Sequence, residues 1–331
     1  VRALVEGGDV GDASTLKNPE SLVELARVIG EWKRKQQLAD EQQMFDRHRY
    51  FTVQYNDVGS TSSVNSRPRR VATVTVTNPP VNALNERALD ELTVVVEHLS
   101  RREEVVAVVF TGQGTASFVA GADIRQLLED VHTLDEARAL PNNAHLAFRK
   151  IERMGKPCIA AIQGVALGGG MEFALACHYR IAEPRARFGQ PEIRLRLLPG
   201  YGGTQRLPRL LATRRGDAGL RDALDMILGG RNISADEALA MGVVDEVAVG
   251  STDVLSAAHA RIREFLTAET DEAGDADDAL AAGRAGTVLG AALAERQANL
   301  VAWNDASPLS LDEAFLDVSG AVRRLGRPAE I

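Results

Sequence analysis

IQGVALGGGMEFALAC, residues 162–177, passes from an apolar run through three successive glycines into a helix-forming stretch. With the residues just upstream it forms KPCIAAIQGVALGGG (156–170), which reads as one buried strand running into a glycine turn. Just downstream, MEFALACH reads as the start of a helix. A buried strand that turns on glycine into a helix is one unit of a layered α/β protein. The glycines also have chemical meaning. They lack side chains, so the backbone turns tightly and exposes its N–H groups. Those groups lie at a helix N-terminus, where the dipole favours developing negative charge. A plain tight turn or a phosphate loop is the competing reading, but the G-x-G-x-x-G spacing and the P-loop lysine are both missing.

The same alternation extends outward. YFTVQYNDV (50–58) alternates as a strand should, and RVATVTVTN (70–78) is a β-run rich in Val and Thr. NPPVNAL is a loop, Asn85 to Leu99 an amphipathic helix, and EVVAVVFTG (104–112) a buried strand. GQGTASFVAGADI (112–124) reads as a glycine-and-alanine loop leading into a helix. YRIAEP is a strand, and ARFGQPEI (186–193) a short strand and turn. Beyond Thr204 the chain is mostly helical, with Ser234 and Glu237 at capping-box spacing. TAETDEAGDADDALAAG (267–283) is acidic and low in complexity, a surface loop or linker before a final helical region. No repeat of fixed period is present. Three parts result: an N-terminal extension over 1–49, helical from Asn18 to Arg47; an α/β core over 50–247; and a helical C-terminal region over 248–331.

With 331 residues, 45% of them hydrophobic, the chain can bury a substantial core. A formal net charge of −8 argues against a nucleic-acid partner. Cys158 and Cys177 sit in apolar surroundings without metal-ligand spacing, so free buried thiols and a cytoplasmic location are expected. No signal-peptide pattern and no run long enough to span a membrane is seen. Val1 implies a fragment or an alternative start codon read literally.

Two glutamates carry the candidate chemistry. Glu172 lies one turn into the helix that begins at the triple glycine, and Glu192, twenty residues on, follows Pro191 in FGQPEI. Taken singly, each is a plausible surface carboxylate. Together they could share one water, one acting as base toward it and the other supplying a proton to a carbon α to a carbonyl. Their mutual repulsion would raise one pKa, which suits the acid. FVAGADI supplies a second donor segment. Ala120, Gly121 and Ala122 have no bulk, so a ligand can approach the main chain, and two N–H groups, one from each segment, could grip one oxyanion. Asp123 fits an N-cap of the following helix better than a catalytic acid. The six histidines form no H-x-x-x-H or H-E-x-x-H pattern, so a metal site has little support, and G-x-S-x-G is missing.

NPPVNALN, AGADI, IQGVALGGGMEFALAC, FGQPEI and LPGYGGTQRL occur in the order and spacing of the enoyl-CoA hydratase/isomerase (crotonase) family, which this chain resembles from about Tyr50 to Val247. The resemblance implies a spiral core of ββα units and a helical C-terminal part used in trimerisation, as a homotrimer or a dimer of trimers. It implies an acyl-CoA thioester substrate, with coenzyme A as part of that substrate and no separate cofactor. The family's oxyanion hole would fall on the N–H groups of Ala120 and Gly169, with Ala120, Gly121, Ala122, Asp123 and Gly169 lining the substrate site. Hydratases of the family keep both glutamates, here Glu172 and Glu192. A double-bond isomerase, a ring-opening hydrolase acting on a cyclic acyl-CoA, or a non-catalytic binding member are the alternatives. The chain departs from the family in its N-terminal extension, in Arg196 and the bulky Tyr201, and in a loosely matching C-terminal end.

Overall fold

Phe51–Asp57 (β1), with Phe51 buried and Val53 and Tyr55 half-buried between exposed neighbours, pairs antiparallel with Arg70–Val76 (β2). This is the edge of a six-stranded sheet. The computed structural model describes residues 49–58, 69–123, 134–249 and 253–273, the side chains of 134–140 and 267–273 excepted. Two units are distinguished, Val1–Arg49 and Tyr50–Ile331, and everything below belongs to the second. The helix expected from Asn18 to Arg47 and the final helical region beyond 273 lie outside the described residues.

From β2 inward the large sheet is parallel. Its order is β1-β2-β3-β5-β7-β10, where β3 is Val105–Gly112, β5 Cys158–Ile162, β7 Tyr179–Ala182 and β10 Glu246–Val247. All eight residues of β3 and all five of β5 are buried, as strands covered on both faces require. A second sheet has the order β4-β6-β8-β9, formed by Ser117–Val119 (β4), Val165–Leu167 (β6), Arg187–Gly189 (β8) and Asn232–Ser234 (β9). Each pass of the chain therefore lays one strand in the large sheet, one in the small sheet, and then a helix. The passes are β3-β4 followed by α2 (Leu134–Glu152), β5-β6 followed by α3 (Gly169–Ala176), and β7-β8 followed by α4 (Gly203–Gly229). The two sheets advance in step, which is a spiral of ββα units.

Three readings of the sequence change. The run 158–167 is two strands, not one. Gly164 breaks it at φ +59, where an added Cβ would lie 2.1 Å from the Ala116 carbonyl oxygen, so only glycine lets the chain cross between sheets there. FVAGADI is not only a loop: Ser117–Val119 pairs with β6, a strand too short to show periodicity. Finally, the first residues of the acidic stretch from Thr267 are helical, because α6 (Val254–Ala273) runs through them. Upstream in α6, Ala258 and Ile262 pack with Val71, Val109, Ile159 and Ile181 of the large sheet, which is what ties this helix to the core.

Local expectations hold elsewhere. In α1 (Glu86–Arg101) the residues Ala88, Leu89, Leu92, Val95, Val96 and Leu99 form one buried stripe, and the Asn85 side chain caps the helix by accepting from the Ala88 N–H at 2.8 Å. The Ser234–Glu237 capping box opens α5 (Ala235–Met241). Phe173 joins the layers: its ring centroid lies 5.2 Å from Phe110 of β3, 5.4 Å from Phe118 of β4 and 5.4 Å from Phe148 of α2. Its neighbour in sequence is Glu172, so this aromatic cluster fixes the base of the candidate site.

Candidate active site

The site is built where α3 begins. Gly168 is its N-cap at φ +50, and its N–H is held by the Gly189 carbonyl at 2.9 Å. Gly170 admits no side chain, since a Cβ there would stand 1.8 Å from the Val119 carbonyl oxygen. The helix N-terminus is thus wedged against β4, with the Gly169 N–H one of its orphan donors.

The amide beside Gly169 is that of Ala122, whereas the expectation had fallen on Ala120. The Ala120 N–H already donates to the Val81 carbonyl at 3.1 Å. Leu84 then donates to the Gly121 carbonyl and accepts from the Asp123 N–H, both at 2.8 Å. In such a parallel bridge between Leu84 and Ala122, the straddled residue turns its own N–H away from the partner strand. The Ala122 nitrogen lies 3.3 Å from where a Cβ on Gly169 would stand, so the two amides are neighbours. Asp123 is held through its backbone by Leu84, and the helix it was expected to cap lies outside the described residues.

Glu172 is 1% exposed, not a surface carboxylate. Its Oε1 accepts from the Gly203 N–H at 2.6 Å. Burial raises its pKa, and the charge of Glu192 raises it further; the Gly203 amide, the Arg206 cation and the Tyr201 amide oppose the rise. Glu192 sits in a 3₁₀ turn, Pro191–Leu195, and its pKa is also raised, chiefly by burial. Its Oε1 would be 2.9 Å from a Cβ on Gly168, which sets it at the mouth of the same helix N-terminus. The Gln190 amide, turned to donate, lies 3.0 and 3.2 Å from the two Glu192 oxygens. Two interacting carboxyls in one desolvated place resist double ionisation, so the pair retains a proton well above the ordinary carboxylate range.

Three contributors were given no role from the sequence. Tyr201 is buried, with its ring against Gly169 and edge-on to Phe148 at 6.3 Å. Gly203 offers the amide that holds Glu172, and Arg206 joins the loop to buried Glu152. The recurrence of glycine in PGYGGTQRL signalled the first two; nothing local signalled Glu152. Among the described residues no group of three or more His, Cys, Asp or Glu could hold a metal ion, and no helix is long and apolar enough to cross a membrane. Both cysteines are free and buried.

Residues 66–307 match the family model described as enoyl-CoA hydratase/isomerase. The chain is 46% identical over 179 residues to the short-chain-enoyl-CoA hydratase of Clostridium acetobutylicum, a match spanning 54% of this chain and 65% of that one. It is 39% identical over 195 residues to a probable enoyl-CoA hydratase of Bacillus subtilis, across 59% and 72% of the two chains. The crystal structure of an enoyl-CoA hydratase from Bacillus anthracis superposes with a TM-score of 0.58 at 26% identity, covering 83% of this chain and 90% of that one.

Proposed function

Because the chain belongs to the enoyl-CoA hydratase/isomerase family, we propose that it adds water across the 2,3 double bond of a 2-enoyl-CoA thioester to give a 3-hydroxyacyl-CoA. The observation that carries this reading is the convergence of two carboxyl groups, both with raised pKa, on one pair of backbone donors.

The thioester carbonyl oxygen accepts from the Ala122 and Gly169 N–H groups. As water attacks C3, electron density moves through C2 onto that oxygen, and the two amides stabilise the enolate. The ionised member of the Glu172–Glu192 pair takes a proton from the water; the protonated member gives one to C2. A water O–H bond is broken and C3–O and C2–H bonds form, so the pair again holds one proton. Holding one proton through neutrality suits that division, because base and acid are both present in the same state. Migration of a double bond needs a single group to move a proton between two carbons, whereas net addition of water calls on two. The second carboxyl therefore favours hydration over isomerisation.

A homotrimer or dimer of trimers is proposed as the assembly, to be read by light scattering. For the activity, crotonyl-CoA is the probe. Loss of the conjugated thioester absorbance is expected with the native chain. Either Glu172→Gln or Glu192→Gln should slow turnover by about two orders of magnitude or more, the scale of acid–base catalysis. Native turnover in both variants would refute the two-carboxyl mechanism.

A further inference from the structure

We propose that Arg206 is a positioning residue for this hydration: paired with buried Glu152, it grips the Tyr201 carbonyl and so fixes the loop whose Gly203 amide holds Glu172. The inference rests on the hydratase reading for its catalytic consequence, but not for its geometry.

The loop is wrapped around the guanidinium. Arg206 Nη1 donates to the Tyr201 carbonyl at 2.7 Å, and its Nε donates to Oε1 of Glu152, the last residue of α2. Its own backbone N–H donates to the Gly202 carbonyl at 2.9 Å. Gly202 has φ +104, and a Cβ there would fall 2.1 Å from Nη1, so the arginine fills the place a side chain would take. The ring of Phe148 lies beneath, 5.7 Å from the guanidinium carbon. Glu152 is 2% exposed. One residue after Gly202, the Gly203 N–H meets Glu172 at 2.6 Å.

Of the groups around it, Glu152 is the one the Arg206 guanidinium pairs with, while its charge also reaches Glu172. From α2, His145, Arg149 and Glu152 face this region; from α3, Glu172 and Cys177 do. His145 is held neutral, its pKa pushed down to about 4 by burial and then by Arg206, and burial keeps the Cys177 thiol protonated. A buried ion pair is a poor device for stability alone, since apolar residues can often replace it. This one has a geometric task. A planar fork serves a carboxylate and a carbonyl at once, which a lysine ammonium on a flexible stem does not reproduce.

The test is a ¹³C-glutamate NMR titration of Glu172, identified by difference with Glu172→Gln, in the native chain and in Arg206→Met, Arg206→Lys and Glu152→Gln, alongside crotonyl-CoA kinetics. Arg206→Met loses the cation and the placement of the Gly203 amide, so the Glu172 titration moves upward by about one pH unit. In Arg206→Lys the charge remains but the fork is lost; kcat falls about tenfold or more with KM within about threefold, because a misplaced group near the chemistry acts on the transition state. An unmoved Glu172 titration in folded Arg206→Met overturns the proposal. If that variant does not fold, native kcat in Arg206→Lys and in Glu152→Gln overturns it. A native chain inactive on enoyl-CoA substrates counts against the hydratase reading, while the titration still decides the positioning claim.

Discussion

Placing one methyl group at Gly169 separates the chemistry of the site from its stability. In Gly169→Ala the new Cβ would stand 2.9 Å from Cδ2 and 3.1 Å from Cε2 of Tyr201, and 3.3 Å from the Ala122 nitrogen. The ring can tilt by the few tenths of an ångström needed, so overpacking costs about 1–3 kcal/mol of stability. The Ala122 amide cannot give way as easily, because Leu84 pins the residues on both sides of it at 2.8 Å. The methyl therefore enters the space in which an oxyanion would meet both donors. Loss of one such donor is worth about 3–4 kcal/mol in the transition state, which slows turnover roughly 100- to 1,000-fold. Adding Tyr201→Ala to Gly169→Ala removes the two ring contacts and leaves the amide contact in place. Urea unfolding and initial hydration rates of the single and double variants provide the assay. Turnover of Gly169→Ala within threefold of native, in a folded protein, would refute the placement of the oxyanion between Ala122 and Gly169.

Other perturbations test the supports of the site. Phe173→Ala empties the junction of Phe110, Phe118 and Phe148 and should cost about 3–5 kcal/mol by chemical denaturation. Asp245→Ala removes the carboxylate paired with buried Arg180, whose Nη2 lies 3.0 Å from it and whose Nε and Nη1 donate to the Val243 and Cys177 carbonyls, and should cost about 3–5 kcal/mol, with Asp245→Asn milder. The pH dependence of stability has a definite sign. Glu172 and Glu192 have folded-state pKa values raised above those of the unfolded chain, so the folded state binds more protons between the two values. Their contribution is present below the unfolded carboxylate pKa and is lost as pH rises through the folded values. Glu172→Gln should therefore be more stable than the native chain at pH 8, by on the order of 1 kcal/mol, and nearly equal at pH 4. Equal stability at both pH values would contradict the buried, proton-retaining pair.

Much of this architecture was legible because strands and helices announce themselves by period and by glycine. The triple glycine marked the α3 N-terminus, and Pro191 marked the turn that carries Glu192. Burial of Glu172 was not legible, because a carboxylate one turn into a helix faces inward or outward according to what packs on it; here that is the Tyr201–Gly203 loop. The choice between Ala120 and Ala122 depended on tertiary pairing. Both are small, and only the bonds to Val81 and Leu84, far upstream, decide which amide remains directed at Gly169. The strands β4 and β6 were missed for a related reason: three residues cannot display an alternation. Arg206 and Glu152 lie on different helices, so their pairing had no local signature.

On the proposed mechanism, water joins C3 of an enoyl thioester by means of two carboxyls. Turnover of crotonyl-CoA in H₂¹⁸O, with the product position read by NMR and mass, tests it most directly. The expected product is 3-hydroxybutyryl-CoA carrying ¹⁸O at C3 from the native chain, and little of it from Glu172→Gln or Glu192→Gln. A product without ¹⁸O at C3, or full labelling by the two glutamine variants, would contradict it.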